Sequence, residues 1–467
     1  MRVALLCDKD QVTYHVGDEA IFSSSAKQLT ARRIEVVPVS RRQKFGPGGS
    51  APDESIRALE FPWLPADRQR YLTEIRAVLA GNKDALDAGD KLFEIIEQLE
   101  AVDALVIGGG GALNSRFGWL LYERLATALV VALQGKPVIL SGQSIGPDLS
   151  ISDRQVLGEL LDVCALVGVR DADSYRVAKE LRPDHPAIFQ TIDDAVLLDI
   201  DWEIPKANRI GVAVAADSWP FEREDYVRVL AAVIDGLAER TGAEIEFIPH
   251  MADPDDGGGD EQHHRELAEQ LIHPAIQHRI ELCEQSAQRL AECQWVVTTR
   301  FHPVVFGLLA GVSVLPIGLN RYGLSRIDGA LRNWGFEDAA VPFAALWDPQ
   351  SGGASATVPD LLDELIANAT IEREQLRAAR FERVGAAAAW WDRVAATLES
   401  TTRSVEHELL PEVPELLTTS RRFSTGLTTQ LDRFGLRVPE RPQPATAIVM
   451  RTHDRATMLD RAVQDVL

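Results

Sequence analysis

Trp295-Val296-Val297-Thr298-Thr299-Arg300-Phe301-His302-Pro303-Val304-Val305-Phe306-Gly307-Leu308-Leu309-Ala310-Gly311-Val312-Ser313-Val314-Leu315-Pro316-Ile317 reads as strand, loop, helix, strand. Trp295–Thr298 and Val314–Ile317 are short apolar runs without alternation, which suits strands covered on both faces. Pro303–Ala310 is an apolar helix between them. A strand, a helix and a second strand of this kind form a right-handed crossover in a parallel sheet. Arg300 and His302 stand at the end of the first strand, two residues apart. In extended backbone their side chains share one face. That pairs a planar cationic fork with a titratable imidazole. A lone histidine is more often structural, but the arginine beside it at a strand end favours function.

The pattern repeats outward from this unit. Ile210–Val214 and Ile245–Pro249 read as further strands, with helices near Glu224–Arg240 and Glu261–Leu271. Upstream, strands are expected at Val3–Cys7, Ile34–Val39, Ala104–Ile107, Val138–Ser141 and Ala165–Val169, and helices at Gly118–Gln134 and Asp173–Leu181. A proline-bearing connector, Asp199–Asn208, separates the two series. The fold class is therefore α/β, with two Rossmann-like lobes and a central cleft, plus C-terminal helices. The lobes are expected at 1–204 and 205–358, with strapping helices over 359–400 and a helix and linker over 401–444. Residues 445–467 change character to strand, loop and amphipathic helix. Segment 41–75, rich in Arg, Gly and Pro, is expected to be a long surface loop. In open parallel sheets ligands bind beyond the carboxyl ends of strands, so the loops there should face the cleft.

Composition limits the function classes. Of 467 residues, 46% are hydrophobic and 25% charged, an ordinary globular balance. The formal net charge is −22, which opposes non-specific binding to nucleic acid and to an anionic membrane surface. A few arginines can still make a local anion pocket. Cys7, Cys164, Cys283 and Cys293 form no C-x-x-C pair and read as buried reduced thiols. No apolar run reaches the ~18–20 residues of a membrane span, and no secretory h-region follows the N-terminus. The expected location is cytoplasmic, including a peripheral position at the inner membrane face if the substrate is lipid-linked.

Several strand ends carry candidate ligand residues. After Val3–Cys7 comes Val16-Gly17-Asp18-Glu19-Ala20-Ile21. Gly17 admits a close backbone approach, while Asp18 and Glu19 also suit a capped helix start with no ligand. Gly108-Gly109-Gly110-Gly111 follows Ala104–Ile107. Such a run costs chain entropy and is tolerated where backbone turns sharply or leaves room for a ligand. It is neither a dinucleotide fingerprint nor a P-loop. Ser141-Gly142-Gln143-Ser144-Ile145-Gly146-Pro147 is a third small-residue loop, and Arg170-Asp171 ends Ala165–Val169 as an anion fork or a surface pair. His250 precedes an acidic, glycine-rich stretch, Asp253–Asp260. With His263 and His264 that stretch invites a metal reading, but its spacing fits no standard site, so a solvated loop and no metal are expected.

Taken in order, these motifs resemble the polysaccharide pyruvyl transferase family over roughly residues 1–330. The resemblance rests on Gly17-Asp18-Glu19-Ala20, the glycine run, Gly142-x-x-Ile145-Gly146-Pro147, Arg170-Asp171-x-x-Ser174, Asp193-Asp194 and Arg300-x-His302. It implies a glycosyltransferase-B-like pair of lobes. It further implies phosphoenolpyruvate as co-substrate with no cofactor, and a glycan or lipid-linked sugar acceptor that receives a pyruvate ketal during cell-envelope or exopolysaccharide biosynthesis. His302, Asp18 and Glu19 become the expected catalytic residues. Arg170, Arg300, Gly109, Gly110, Gly111, Gly142 and Gly146 become donor-binding, and His15, His250, Tyr322 and Arg326 acceptor-binding. The chain departs from the pattern where His15-Val16 precede Gly17-Asp18 and where Arg326, not lysine, follows Tyr322. The tail 445–467 weakly resembles the first strand–loop–helix of a family 2 glycosyltransferase domain, so a fused transferase beyond it is one expectation. The rival readings are a nucleotide-sugar glycosyltransferase of the same two-lobed fold and a non-catalytic sugar- or anion-binding lobe.

Overall fold

Burial on both faces makes the apolar runs of the first half into one parallel sheet. The computed structural model describes residues 1–9, 13–41, 54–253 and 258–400. In the first lobe the strand order is Ile56–Arg57, Glu35–Ser40, Arg2–Leu6, Ala104–Ile107, Val138–Ile145, Leu166–Val169 and Ile188–Gln190. All neighbours on that path run parallel, and Gly110–Leu113 pairs beside Val138–Ile145. The second lobe orders Ala275–Gln277, Glu244–Phe247, Ala207–Ala213, Cys293–Thr298, Ser313–Gly318 and Val341–Pro342, again in parallel. The two lobes and the cleft between them form a glycosyltransferase-B-like α/β fold.

Three hydrophobic clusters follow from this layout. One fills the outer side of the first sheet and one the outer side of the second. The third is continuous between the lobes and includes Leu5 and Ile139 with Val296, Phe306 and Trp390. Polar links reinforce it. Tyr14–His15 pairs antiparallel with Met251–Ala252, Val16 N donates to His250 O (3.0 Å), and Cys283 N donates to Tyr14 Oη (3.0 Å).

Val358–Glu399 is a single helix of 42 residues, about 63 Å long at 1.5 Å per residue. Its first turns place Leu362 and Leu365 in the second lobe's core, and its last turns place Trp390, Trp391 and Leu398 in the shared cluster. Trp390 Nε1 donates to Ser141 Oγ (2.8 Å), and the ring lies where a side chain on Gly168 would collide with it.

The expected loop over 41–75 is corrected. Ile56–Arg57 is an edge strand and Pro65–Leu79 is a helix with proline in its first turn. Leu72, Ile75 and Val78 bury one stripe of that helix inside a stretch whose arginines disguised it. The Asp253–Asp260 reading is corrected in part as well. Asp260 opens a buried helix, Asp260–Ala268, rather than a solvated loop. The expectations for 401–444 and 445–467, and for Phe45–Ser50, lie outside the described residues. All four cysteines are buried and free. Among the described residues no helix is long and apolar enough to cross a membrane.

Trp390→Ala should remove both a large buried ring and its hydrogen bond to Ser141. The expected loss is about 3–5 kcal/mol of stability, read from urea unfolding. A loss under about 1 kcal/mol would show that the long helix does not hold the shared cluster.

Candidate functional site

The cleft at the carboxyl ends of both sheets encloses about 480 Å³, the size of a small-molecule site. Eight of the expected site residues line it: His15, Asp18, Gly111, His250, Arg300, His302, Tyr322 and Arg326. Glu19, Arg170, Gly109, Gly110, Gly142 and Gly146 do not.

His302 sits in the first turn of the Phe301–Ala310 helix, whose start is one residue past Arg300. The expected extended alternation therefore stops early. Arg300 is still extended, at φ −105° and ψ 149°, and the helix turn carries His302 into the same cleft. The imidazole lies against the bare Cα of Gly17. A Cβ at residue 17 would stand 1.7 Å from His302 Nδ1. Gly17 therefore admits a side chain from the other lobe, where sequence reading expected a ligand. His302 Nε2 has no hydrogen-bond partner and lies 3.9 Å from Asp193 Oδ2. Burial pulls the imidazole down to about 4, against the opposing pull of Asp193, so it is neutral at pH 7.

Asp18 faces His302 from the first turn of the Val16–Ala31 helix. His15 Nδ1 is 3.2 Å from Asp18 Oδ2. Burial works to raise the Asp18 carboxyl, but the His15 contact and the His302 and Arg326 charges hold it below the usual range. Arg300 pairs with Asp260 through Nη2. Asp260 is itself fixed by the backbone N–H groups of His250 (3.1 Å) and Met251 (2.9 Å). Arg326 Nη1 donates to Tyr322 Oη (2.7 Å), and Tyr322 donates to Gly111 O (3.0 Å). A side chain at Gly111 would collide with both. The glycine loop and the Arg321–Arg332 helix thus close one wall together.

Arg170 stands apart from the residues that line the cleft. Its side chain is 1% exposed and lies behind the cleft wall. Nη1 donates to Asp193 Oδ2 (2.6 Å) and Nε to Ser144 Oγ (2.8 Å), while the guanidinium lies 4.1 Å from the Phe301 ring centroid. Its Nη2 is buried and has no hydrogen-bond partner. Arg170 sets Asp193, which stands beside His302. Arg326 also lies over Phe301, at 4.8 Å. Gly142 makes room for Asp194, and Gly109 for Gly142 O, Asp194 and Ile21. A Cβ on Gly142 would come within 2.5 Å of Asp194 Oδ2, and one on Gly109 within 3.2 Å. Gly110 faces Asp8 and Gln143, and Gly146 lies beside Asp148 N. Glu19 is on the first helix but off the cleft lining.

The ordered motifs and this cleft have counterparts among known proteins. The model of the polysaccharide pyruvyl transferase family matches residues 15–321. The chain belongs to this family. None of the curated proteins matches the chain. Among solved structures it is similar to Arabidopsis thaliana UGT89C1, at 13% identity and a TM-score of 0.52, over 85% of this chain and 99% of that one. It is also similar to a UDP-GlcNAc 2-epimerase from Neisseria meningitidis bound to UDP-GlcNAc, at 10% identity and a TM-score of 0.52, over 85% and 99%. At such identities these likenesses show the two-lobed fold alone.

In this family member sequence reading missed Arg116, which lines the cleft with its guanidinium 5.3 Å from the Tyr322 ring centroid. It named Asp193-Asp194 as a motif without seeing what they do. Arg116 sits in a local turn held by Phe117 N donating to Asn114 Oδ1 (2.9 Å), and asparagine three residues before that N–H was the signal that could have marked the turn. His250 Nδ1 meets Ile248 O at 3.0 Å and His264 Nε2 meets Val214 O at 3.0 Å, while His263 Nδ1 meets Arg223 at 2.6 Å. Burial pulls these imidazoles down to about 3, 4 and 3 respectively, so they are neutral struts in the wall. Among the described residues no group of three or more His, Cys, Asp or Glu is placed to hold a metal.

Two outcomes are expected here. Gly17→Ala should displace the His302 ring, cost about 1–3 kcal/mol by overpacking, and shift that ring's signals in a long-range proton–nitrogen NMR spectrum. Unchanged signals would refute the contact. Asp194 is pushed up to about 7 by burial and then by Asp193. Its contribution to stability is full below 3.8 and is lost as pH rises through about 7. Asp194→Asn should therefore gain melting temperature relative to the parent at pH 8 compared with pH 5; a difference independent of pH would refute it.

Proposed function

We propose that this chain transfers the pyruvyl group of phosphoenolpyruvate to two hydroxyls of one sugar, forming a ketal. The observation that carries the reading is a neutral, unpartnered imidazole nitrogen of His302 in a cleft walled by Arg300 and Arg326, with the Asp18 carboxylate facing it. A small dianion with a reactive methylene suits that arrangement, because guanidinium forks match carboxylate and phosphate oxygens.

Arg300 and Arg326 hold the carboxylate and phosphate. The donor's negative charge raises the affinity of His302 for a proton. His302 then protonates the methylene carbon, and positive character grows at C2. The first sugar hydroxyl attacks C2 and gives its proton to Asp18. The second hydroxyl attacks as the C2–phosphate oxygen bond breaks, and its proton returns to His302. Phosphate leaves with the proton held by Asp18. Arg170 acts through Asp193, whose carboxylate favours the protonated imidazole. Here Arg170 is a positioning residue. The sugar belongs to a cell-surface glycan or a lipid-linked precursor, which suits a cytoplasmic catalyst.

The test is release of phosphate from phosphoenolpyruvate in the presence of sugar acceptors, together with the melting temperature in phosphoenolpyruvate and in UDP-GlcNAc. Phosphoenolpyruvate should raise the melting temperature and UDP-GlcNAc should not; the reverse would favour a nucleotide-sugar transferase. His302→Ala should lower turnover by about 10²–10⁴-fold, the usual contribution of general acid–base catalysis. Parental turnover in that variant would remove His302 from the mechanism.

A further inference from the structure

We propose that Trp63, Trp119 and Phe117 form a stacking platform for the pyranose ring of the sugar acceptor, at the mouth of the cleft that holds His302. The proposal rests on the pyruvyl-transfer reading for the sugar's role but not for its binding. Trp63 is 53% exposed, a large apolar area to leave in water. Its ring centroid is 4.3 Å from that of Trp119, with the planes 32° apart. Trp119 and Phe117 line the cleft and meet edge-on at 5.5 Å, and Phe117 meets Tyr322 at 5.7 Å. The aromatic surface thus runs without a break from the exposed rim to Tyr322, whose hydroxyl is bonded to Arg326.

The rings are held in place. Trp63 O accepts from Arg68 Nη1 (2.9 Å), and Arg68 is itself buried, with Asp153 3.8 Å away. Arg68 fills the space that a side chain on Gly118 would need. Phe117 is pinned through Asn114, whose Nδ2 donates to Gly111 O (2.8 Å). A row of ordered rings at a cleft mouth presents negative π faces. The C–H face of a pyranose carries the complementary partial positive charge. Its hydroxyls need donors and acceptors at the ring's edge, and Arg116 and Asp217 supply both, 3.5 Å from each other on the cleft lining. These two charges are paired with each other, and Arg116 lies over the Phe117 and Tyr322 rings, so a polyol at the platform's edge can join an existing polar pair. The occupant is therefore a hexopyranose, stacked so that its hydroxyls reach inward toward Asp18 and His302.

The experiment uses the full chain. Acrylamide quenching of tryptophan fluorescence is followed while methyl glucoside, galactoside, mannoside and their 2-acetamido forms are titrated, with uridine as the flat aromatic alternative. At least one pyranoside should protect the parent protein. Its affinity should fall tenfold or more in Trp63→Ala and Trp119→Ala and be largely retained in Trp63→Phe. In the phosphate-release assay the same alanine variants should raise the acceptor KM by a similar factor. Their melting-temperature shift with phosphoenolpyruvate should match the parent's. Protection by none of the pyranosides, stronger protection by uridine, or parental affinity in both alanine variants overturns the platform. If phosphoenolpyruvate fails to shift the parent's melting temperature, the donor reading falls, while pyranoside protection lost in Trp63→Ala still supports the platform.

Discussion

One contact organises this molecule: the His302 imidazole against the bare Cα of Gly17. The histidine belongs to the second lobe and the glycine to the first, and there is no room for even a methyl group between them. The contact fixes how closely the lobes approach at their centre, and the bond from Val16 N to His250 O beside it holds them there. It also buries the imidazole, and burial is what makes that ring neutral at pH 7. Closure of the lobes and the protonation state of the histidine are thus consequences of one packing decision.

Charge in the site is arranged in two depths. At the surface of the cleft, Arg300 is tethered by Asp260 and Met251 and Arg326 by Tyr322, and both line the cleft. Behind them Arg170 is held by Asp193 through Nη1 and by Ser144 through Nε, with Nη2 buried and without a hydrogen-bond partner. Burial lowers the Arg170 guanidinium's hold on its proton, and the Asp193 charge opposes that. Removing one member of such a buried pair strands the other. The inner pair therefore shapes the field at His302, and the outer pair lies on the cleft lining. The protein carries a net charge of −22, yet the cations that matter are gathered where the two sheets' carboxyl ends meet.

Much of the fold was legible because it depends on local pattern. The unalternating apolar runs at Ala104–Ile107 and Trp295–Thr298 can only be strands covered twice, and the helices between them force parallel pairing. The Pro65–Leu79 helix was not legible, since its buried stripe is only three side chains wide and is interrupted by arginines. In the site, Arg300 and His302 were legible as a pair because two residues at a strand end cannot be far apart. The direction of Arg170 was not. A strand end places an arginine near the cleft, but whether it points into the cleft or behind the wall depends on Asp193, which arrives from 23 residues downstream. The glycine loops misled for the same reason. Glycine announces a close approach without naming what approaches, and at Gly17, Gly109 and Gly142 the visitor is His302 or Asp194.

The long C-terminal helix completes the logic. A two-lobed transferase needs a cleft that ligand can enter, yet the contact at Gly17 demands tight apposition. Val358–Glu399 joins the lobes without contributing to the cleft lining. Its early leucines belong to one core and its paired tryptophans to the other. Trp390 reaches Ser141, and Ser141 Oγ donates to Asp194 Oδ2 (3.0 Å), one residue from the carboxylate beside His302. The long helix is thus tied through bonded side chains to the residue next to the carboxylate beside His302.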